Sequence, residues 1–203
     1  MVSGGGTNLQ ALIDGVKDGR IEGATIGLVL SSRDGAYALE RAKKAGIGTV
    51  VVSSEEYGND DKKADAILAA LCEARTDLVI TAGYMSIIHK RVCGAYAGRM
   101  INIHPALLPK YGGVGFYGLN VHRAVIAAEE RESGATVHYV DDVGVDSGEI
   151  IMQERVPVEA GDTPETLQRR VQEVEHRIIV EAANFVVRKL AAEKRGGESL
   201  SEG

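Results

Sequence analysis

Asn102 and His104 stand two residues apart in the run Asn102-Ile103-His104-Pro105, and their types and spacing carry chemistry. The run closes an apolar stretch, Arg99-Met-Ile-Asn-Ile-His104, and leads into a proline-punctuated loop. On an extended backbone, side chains at i and i+2 project to the same side. An amide can polarise a carbonyl and steady an oxyanion, and an imidazole moves protons near neutral pH. Acyl transfer to an amine needs both. A strand end that only hydrogen-bonds the next loop would look the same, so the pair gains its meaning from its company.

That company comes from two other segments. Thr136-Val-His138-Tyr-Val-Asp141-Asp142-Val-Gly144-Val-Asp146-Ser-Gly148 alternates like a strand and then breaks into an acidic, glycine-containing loop. As bare carboxylates Asp141, Asp142 and Asp146 are rivals, with Asp141 and Asp142 reading as loop caps. Ser3-Gly-Gly-Gly6-Thr7-Asn8-Leu9-Gln10 is a glycine-rich turn opening a helix, where successive backbone N–H groups favour an anion. It is neither a G-x-G-x-x-G turn, since Leu9 takes the last glycine's place, nor a Walker loop, since no Gly-Lys-Ser/Thr follows. A tight turn and a phosphate cradle read equally well there.

These three segments in this order, with Leu107-Leu108-Pro109 after the His-Pro pair, resemble the glycinamide ribonucleotide formyltransferases of purine biosynthesis. The resemblance runs from Ser3 to about Leu190, and the pairing of Asn-Ile-His-Pro with Val-Asp-Ser-Gly is specific to folate-dependent formyl transfer. It implies a transferase that carries the formyl group of 10-formyltetrahydrofolate to the amine of 5′-phosphoribosylglycinamide, by direct attack through a tetrahedral intermediate. It implies Asn102, His104 and Asp146 as the catalytic set; that Asp146 lies near His104 follows from the resemblance alone. Gly6, Thr7, Asn8 and Gln172 would hold the ribonucleotide's phosphate, and Glu175 would accept from its ribose hydroxyls. Met85, Ser86, Ile87 and Ile88, with Asn102, Asp141, Asp142 and Val143, would form the folate pocket, and Lys62 would reach the folate tail. Ser86 departs from the arginine frequent at that position in the family, which removes a contact to that tail. Without the resemblance, Gln172 and Glu175 read as solvated helix residues, and Ile87 and Ile88 as core.

The elements that must position these residues follow from pattern. Apolar runs at Ala24–Leu30, Thr49–Val52, Leu78–Thr81 and Met100–Ile103 alternate with helical patterns at Ala36–Ala45, Asp60–Arg75 and Ile87–Tyr96. This rhythm predicts an α/β fold with a doubly wound, mostly parallel sheet, whose ligands sit beyond the C-terminal strand ends. After a glycine-rich loop, Pro109 to Leu119, read as mobile, a helix (Asn120–Glu132) leads to strands Ala135–Val140 and Glu149–Val156, an antiparallel C-terminal extension. Thr163 and Pro164 open the last helix, with Leu167, Val171, Val174, Ile178, Ala182, Phe185 and Val186 on its inward stripe. Residues 1–194 read as one domain and 195–203 as a disordered tail. Only Met1 and Val2 precede the glycine turn, so the first strand reads as truncated, at a central place between Ala24–Leu30 and Leu78–Thr81.

Composition sets bounds. The 203 residues, 44% hydrophobic and 26% charged, suit one globular domain, and 25 glycines suit many tight turns. A net charge of −6 with no Lys/Arg block argues against a nucleic-acid surface, and no apolar run is long enough to span a bilayer. Small-molecule substrates, a cytoplasmic location and a monomer or weak homodimer are expected. Cys72 and Cys93 read as separate buried thiols, and the five histidines show no metal-binding spacing, so no metal is expected. Four rivals remain, one of them a non-catalytic nucleotide-binding module that would leave Asn102, His104 and Asp146 without a shared site. Methionyl-tRNA formyltransferases share the core but add an RNA-binding domain. A formyltetrahydrofolate hydrolase would share the three catalytic residues. An NADP-dependent oxidoreductase would use Ser31-Ser32-Arg33 for a 2′-phosphate.

Overall fold

The computed structural model describes the backbone of residues 1–201 and the side chains of residues 1–196. Its elements are α1 (Thr7–Lys17), β1 (Leu28–Ser31), α2 (Tyr37–Lys44), β2 (Gly48–Val51), α3 (Ser54–Tyr57), α4 (Asp60–Glu73) and β3 (Val79–Thr81). They continue with α5 (Lys90–Ala95), β4 (Met100–His104), α6 (Leu119–Ala127), β5 (Glu132–Tyr139), β6 (Ile150–Pro157) and α7 (Pro164–Ser201). Local chemistry explains several boundaries. The Asn59 side chain accepts from Lys62 N to cap α4, whose Ala64, Ile67 and Leu71 turn inward. Thr163 Oγ1 accepts from Thr166 N at the start of α7, directly before Pro164, which needs no N–H bond there.

β1 pairs β2 and β3 pairs β4, both parallel, while β4–β5 and β5–β6 are antiparallel. The expected α/β fold, with its parallel half and antiparallel extension, is therefore the one observed. Met1 and Val2 lie between β1 and β3. Val2 N donates to Leu30 O at 2.9 Å and Ser32 N to Val2 O at 3.0 Å, while Met1 N reaches Ile80 O at 2.7 Å and Ala82 N reaches Met1 O at 3.0 Å. The strand order is thus β2-β1-(Met1–Val2)-β3-β4-β5-β6. One core joins α1, α7 and the sheet through Leu12, Ile101, Val137, Val171 and Ile178; a second lies on the α4 and α5 side around Ile67, Leu71, Val92 and Met100.

Five expectations need correction. α5 begins at Lys90, not Ile87, with the His89 side chain capping it, so Met85 to Ile88 are not helical. α6 stops at Ala127, because Glu129 turns to a φ of 52° and β5 starts at Glu132. Phe185 is exposed, and Ile179 and Ala183 take the inward positions beside Ile178 and Ala182. α7 continues through Ser201, where the composition predicts a tail from Arg195. Extending an existing helix fixes one residue per hydrogen bond, so even glycines cost only about 1 kcal/mol each there. Of the two unpaired thiols, Cys93 is buried but Cys72 is exposed.

Candidate active site

Three strand ends and two loops meet at one cleft of about 760 Å3. Asn102 and His104 reach it from the end of β4, and β5 runs antiparallel beside them with His138 opposite Asn102 and Thr136 opposite His104. After β5 the loop 140–149 folds back and presents Asp146, with Gly148 packed against the Tyr139 carbonyl so closely that a Cβ there would clash. Asp146 adopts a φ of 58°, a left-handed backbone uncommon for a residue with a side chain. Strain of this kind persists where surrounding bonds over-determine it.

Those bonds are present. Asp146 Oδ2 accepts from Gly113 N at 3.0 Å and faces His104 Nδ1 at 3.3 Å. Asp146 Oδ1 accepts from Asn102 Nδ2 at 3.2 Å and faces His138 Nε2 at 3.5 Å. Asn102 is held at both ends of its amide: its Oδ1 accepts from Thr81 Oγ1 at 2.6 Å, and its Nδ2 lies 3.1 Å from His138 Nε2. His138 Nδ1 sits 2.8 Å from the Tyr139 carbonyl and turns an N–H to it, with Nε2 between Asn102 Nδ2 and Asp146 Oδ1. Burial disfavours the Asp146 carboxylate, but the bond from His138, the nearby His104 and the Gly113 N–H outweigh it and keep its pKa low. His104 is 4% exposed; burial lowers its pKa, opposed by Asp146 and the Tyr111 carbonyl. The site therefore pairs a neutral imidazole with a carboxylate at neutral pH.

At one end of the cleft stands the glycine turn. Gly6, with a φ of 71°, starts α1 without a side-chain cap, and a Cβ on it would come within 2.6 Å of Ala38 Cβ. The first-turn N–H groups of α1 thus lack intrahelical partners and face the cleft, a favourable place for an anion. The turn is braced from below. Ser3 Oγ contacts Ser32 Oγ and accepts from Met85 N, Arg33 Nε donates to Ser3 O, and Arg41 Nε donates to Gly5 O. Ser31 Oγ in turn donates to Arg33 O. Ser31, Ser32 and Arg33 are thus engaged in shaping the turn, which counts against their serving a dinucleotide's 2′-phosphate.

α7 runs past the same end. Glu175 is 7% exposed and accepts from Asn8 Nδ2 at 3.3 Å, and burial pushes its carboxyl up to about 7. Asn8 Oδ1 is buried beside it without a hydrogen-bond partner in the protein. Gln172 lines the cleft beside them, as does Gln168, one turn earlier.

The other end is apolar. Met85, Ser86, Ile87 and Ile88 line it with Asp141 and Asp142. Ile87 is 77% exposed and so is no core residue, whereas Ile88 packs against the α4-side core. Asp141 also ties its loop, accepting from Val143 N, Gly144 N and Ser147 Oγ. Two residues implied by the resemblance stand apart: Lys62 is exposed on the first turn of α4, and Val143 is exposed on the loop; neither lines the cleft.

Sequence reasoning missed four contributors. His138 could have been found only with the β4–β5 register in hand. His122, 1% exposed on α6, lines the cleft with its Nδ1 unpartnered, and burial and the nearby His104 press its pKa down to about 4. The Tyr111 carbonyl and the Gly113 N–H are backbone groups, invisible to any reading of side-chain types.

Residues 1–183 match the family model described as formyl transferase. The phosphoribosylglycinamide formyltransferase of Escherichia coli (strain K12) is 39% identical over 178 residues, covering 88% of this chain and 81% of that protein. The trifunctional purine biosynthetic protein adenosine-3 of Drosophila pseudoobscura pseudoobscura is 41% identical over 96% of this chain, which spans only 14% of that protein's length. Among solved structures, glycinamide ribonucleotide transformylase 1 from Symbiobacterium toebii superposes with a TM-score of 0.84 at 40% identity, covering 91% of this chain and 84% of that one. The chain belongs to the formyl transferase family and, within it, groups with the phosphoribosylglycinamide formyltransferases.

Proposed function

We propose that this protein transfers the formyl group of 10-formyltetrahydrofolate to the amine of 5′-phosphoribosylglycinamide, a step of purine biosynthesis. The observation that carries the reading is the convergence of Asn102, His104 and Asp146 midway along one cleft, between an anion-favouring turn and an apolar wall. The ribonucleotide's phosphate lies on Gly6, Thr7 and Asn8 with Gln172, and its ribose hydroxyls donate to Glu175, because a carboxylate can accept from a diol through both oxygens. The pterin lies against Met85, Ile87 and Ile88, with Ser86, Asp141 and Asp142 on its polar edge. Lys62 and Val143 would reach a bound folate only through movement of their segments. Two free cysteines suit the reducing cytoplasm.

The neutral amine attacks the formyl carbon and a tetrahedral intermediate forms. Asn102 and His104 stabilise its oxyanion, while His104, or a water held by Asp146, carries the proton from the attacking nitrogen to the leaving nitrogen. Asn102 Nδ2 donates to Asp146 in the free protein, so contact with the oxyanion exchanges that bond or uses the amide's other hydrogen. His138 acts by orienting Asn102. No covalent enzyme intermediate is needed.

The test is formyl transfer from 10-formyltetrahydrofolate, with 5′-phosphoribosylglycinamide and with water alone as acceptor. Formylated ribonucleotide only when that acceptor is present supports the reading. Formate release at the same rate in both would make the protein a hydrolase and overturn it.

A further inference from the structure

Behind the glycine turn, three consecutive carbonyls are held on the side away from the cleft. Ser3 O accepts from Arg33 Nε, Gly4 O from Ala38 N at 3.0 Å, and Gly5 O from Arg41 Nε at 2.8 Å. Ala38 and Arg41 belong to α2 and Arg33 to the segment before it, and none of the three lines the cleft. A trans peptide unit points its N–H opposite to its C=O. Fixing those carbonyls toward α2 therefore turns the N–H groups of Gly4, Gly5 and Gly6 toward the cleft, which all three glycines line. Among the described residues, nothing accepts from these N–H groups. The chain then enters α1 through Gly6, whose carbonyl accepts from Gln10 N at 2.9 Å.

No cation stands on this part of the wall. Of the described residues that line the cleft, Lys90 is the one lysine or arginine, and it lies beside Ile88 at the apolar end. The two arginines behind the turn face backbone and not the cleft. Arg41 Nε and Nη1 donate to Gly5 O and Gln10 Oε1, with the guanidinium 5.1 Å from the centre of the Tyr37 ring, and Arg33 Nε donates to Ser3 O.

We propose that Arg33 and Arg41 are positioning residues of the phosphate site, each aiming one backbone N–H at the anion: Arg33 that of Gly4, and Arg41 that of Gly6. Ala38 N does the same for Gly5. The inference rests on the placement of the ribonucleotide's phosphate at this turn, and it extends the donors back from α1 through Gly5 and Gly4. Successive N–H groups fixed before the ligand arrives form a concave nest that binds an anion with little reorganisation. In both arginines the atom that matters is Nε and not the charge. A glutamine side chain carries its amide nitrogen after the same number of carbons, so it can replace that bond without the charge; methionine replaces neither.

The experiment titrates inorganic phosphate, and separately 5′-phosphoribosylglycinamide, into the full chain and into Arg41→Met, Arg41→Gln, Arg33→Met and Arg33→Gln, following the glycine amides by NMR. In the unaltered chain the Gly4, Gly5 and Gly6 amide protons move downfield with either probe. Arg41→Met abolishes the Gly6 response and Arg33→Met the Gly4 response. Each Met variant raises KM for the ribonucleotide by at least about 10-fold with kcat within about 3-fold, whereas each Gln variant keeps the response and a KM within about 3-fold. Equal losses in the Met and Gln variants would overturn the proposal in favour of charge alone. A lost Gly6 or Gly4 response in a Gln variant overturns it even where the Met variant fails to fold. Glycine amides that ignore both probes in the unaltered chain would overturn the assignment of the donors. The inorganic phosphate titration needs no turnover, so its outcome and that of the formyl-transfer assay are read separately.

Discussion

His104 Nδ1 lies 3.3 Å from Asp146 Oδ2, while the ring's other nitrogen lies 2.7 Å from the Tyr111 carbonyl oxygen. A neutral imidazole has one N–H and can satisfy only one of these two acceptors; the imidazolium satisfies both. Burial keeps the ring neutral at rest, yet its surroundings are arranged for the protonated form. That suits a group that takes a proton from an attacking amine and passes it on.

Asp146→Asn keeps the shape but removes the negative charge that supports the imidazolium. We expect kcat to fall by about 10²-fold or more with KM for either substrate changed by less than about 3-fold. Steady-state kinetics on both substrates checks this; a loss confined to KM would assign Asp146 to binding.

The Tyr111 carbonyl occupies His104 Nε2, so the loop that carries it must shift before that nitrogen can serve a substrate. Val114 and Tyr117 of the same loop are exposed at the cleft, ready to cover a ligand and exclude water. Lys110 offers a trypsin site at the loop's entry. Cleavage there should slow by at least about 10-fold when both ligands are bound. Equal cleavage with and without ligands would contradict loop closure.

Glu175 gives a pH signature. Burial raises its carboxyl from 4.5 to about 7, with the Asn8 bond opposing. Between those values the folded protein keeps a proton that the unfolded chain releases, so stability falls as pH rises through that window. The whole span corresponds to about 3 kcal/mol at about 1.4 kcal/mol per unit. Glu175→Gln should flatten the decline of Tm between about pH 5 and about pH 7, measured by calorimetry. It should also raise KM for the ribonucleotide above about pH 7, where the wild-type side chain is a carboxylate, and much less below it.

Much of this architecture is legible in the sequence because it rests on local signals. Thr163 before Pro164 marks a helix start by its own side chain and caps as expected, and Asn59 is found to do the same before Asp60. The end of β4 carries Asn102 and His104 in a pattern that strand geometry alone interprets. Other features depend on partners far along the chain. Asp146 meets His104 only because β5 returns antiparallel to β4, and His138 enters the site only through its register with Asn102. Ile87 and Ile88 look helical by hydrophobicity, yet with Met85 and Ser86 they form a rim of the cleft where Ile87 faces solvent. Glu175, polar on an otherwise amphipathic helix, is buried because the glycine turn brings Asn8 against it.

The central claim is that His104 moves the proton in formyl transfer, and its most direct measurement is single-turnover formyl transfer by His104→Ala with both substrates saturating. The account predicts a rate lower by about 10²–10³-fold, with both substrates still bound at near wild-type affinity. A rate within about 3-fold of wild type would contradict it.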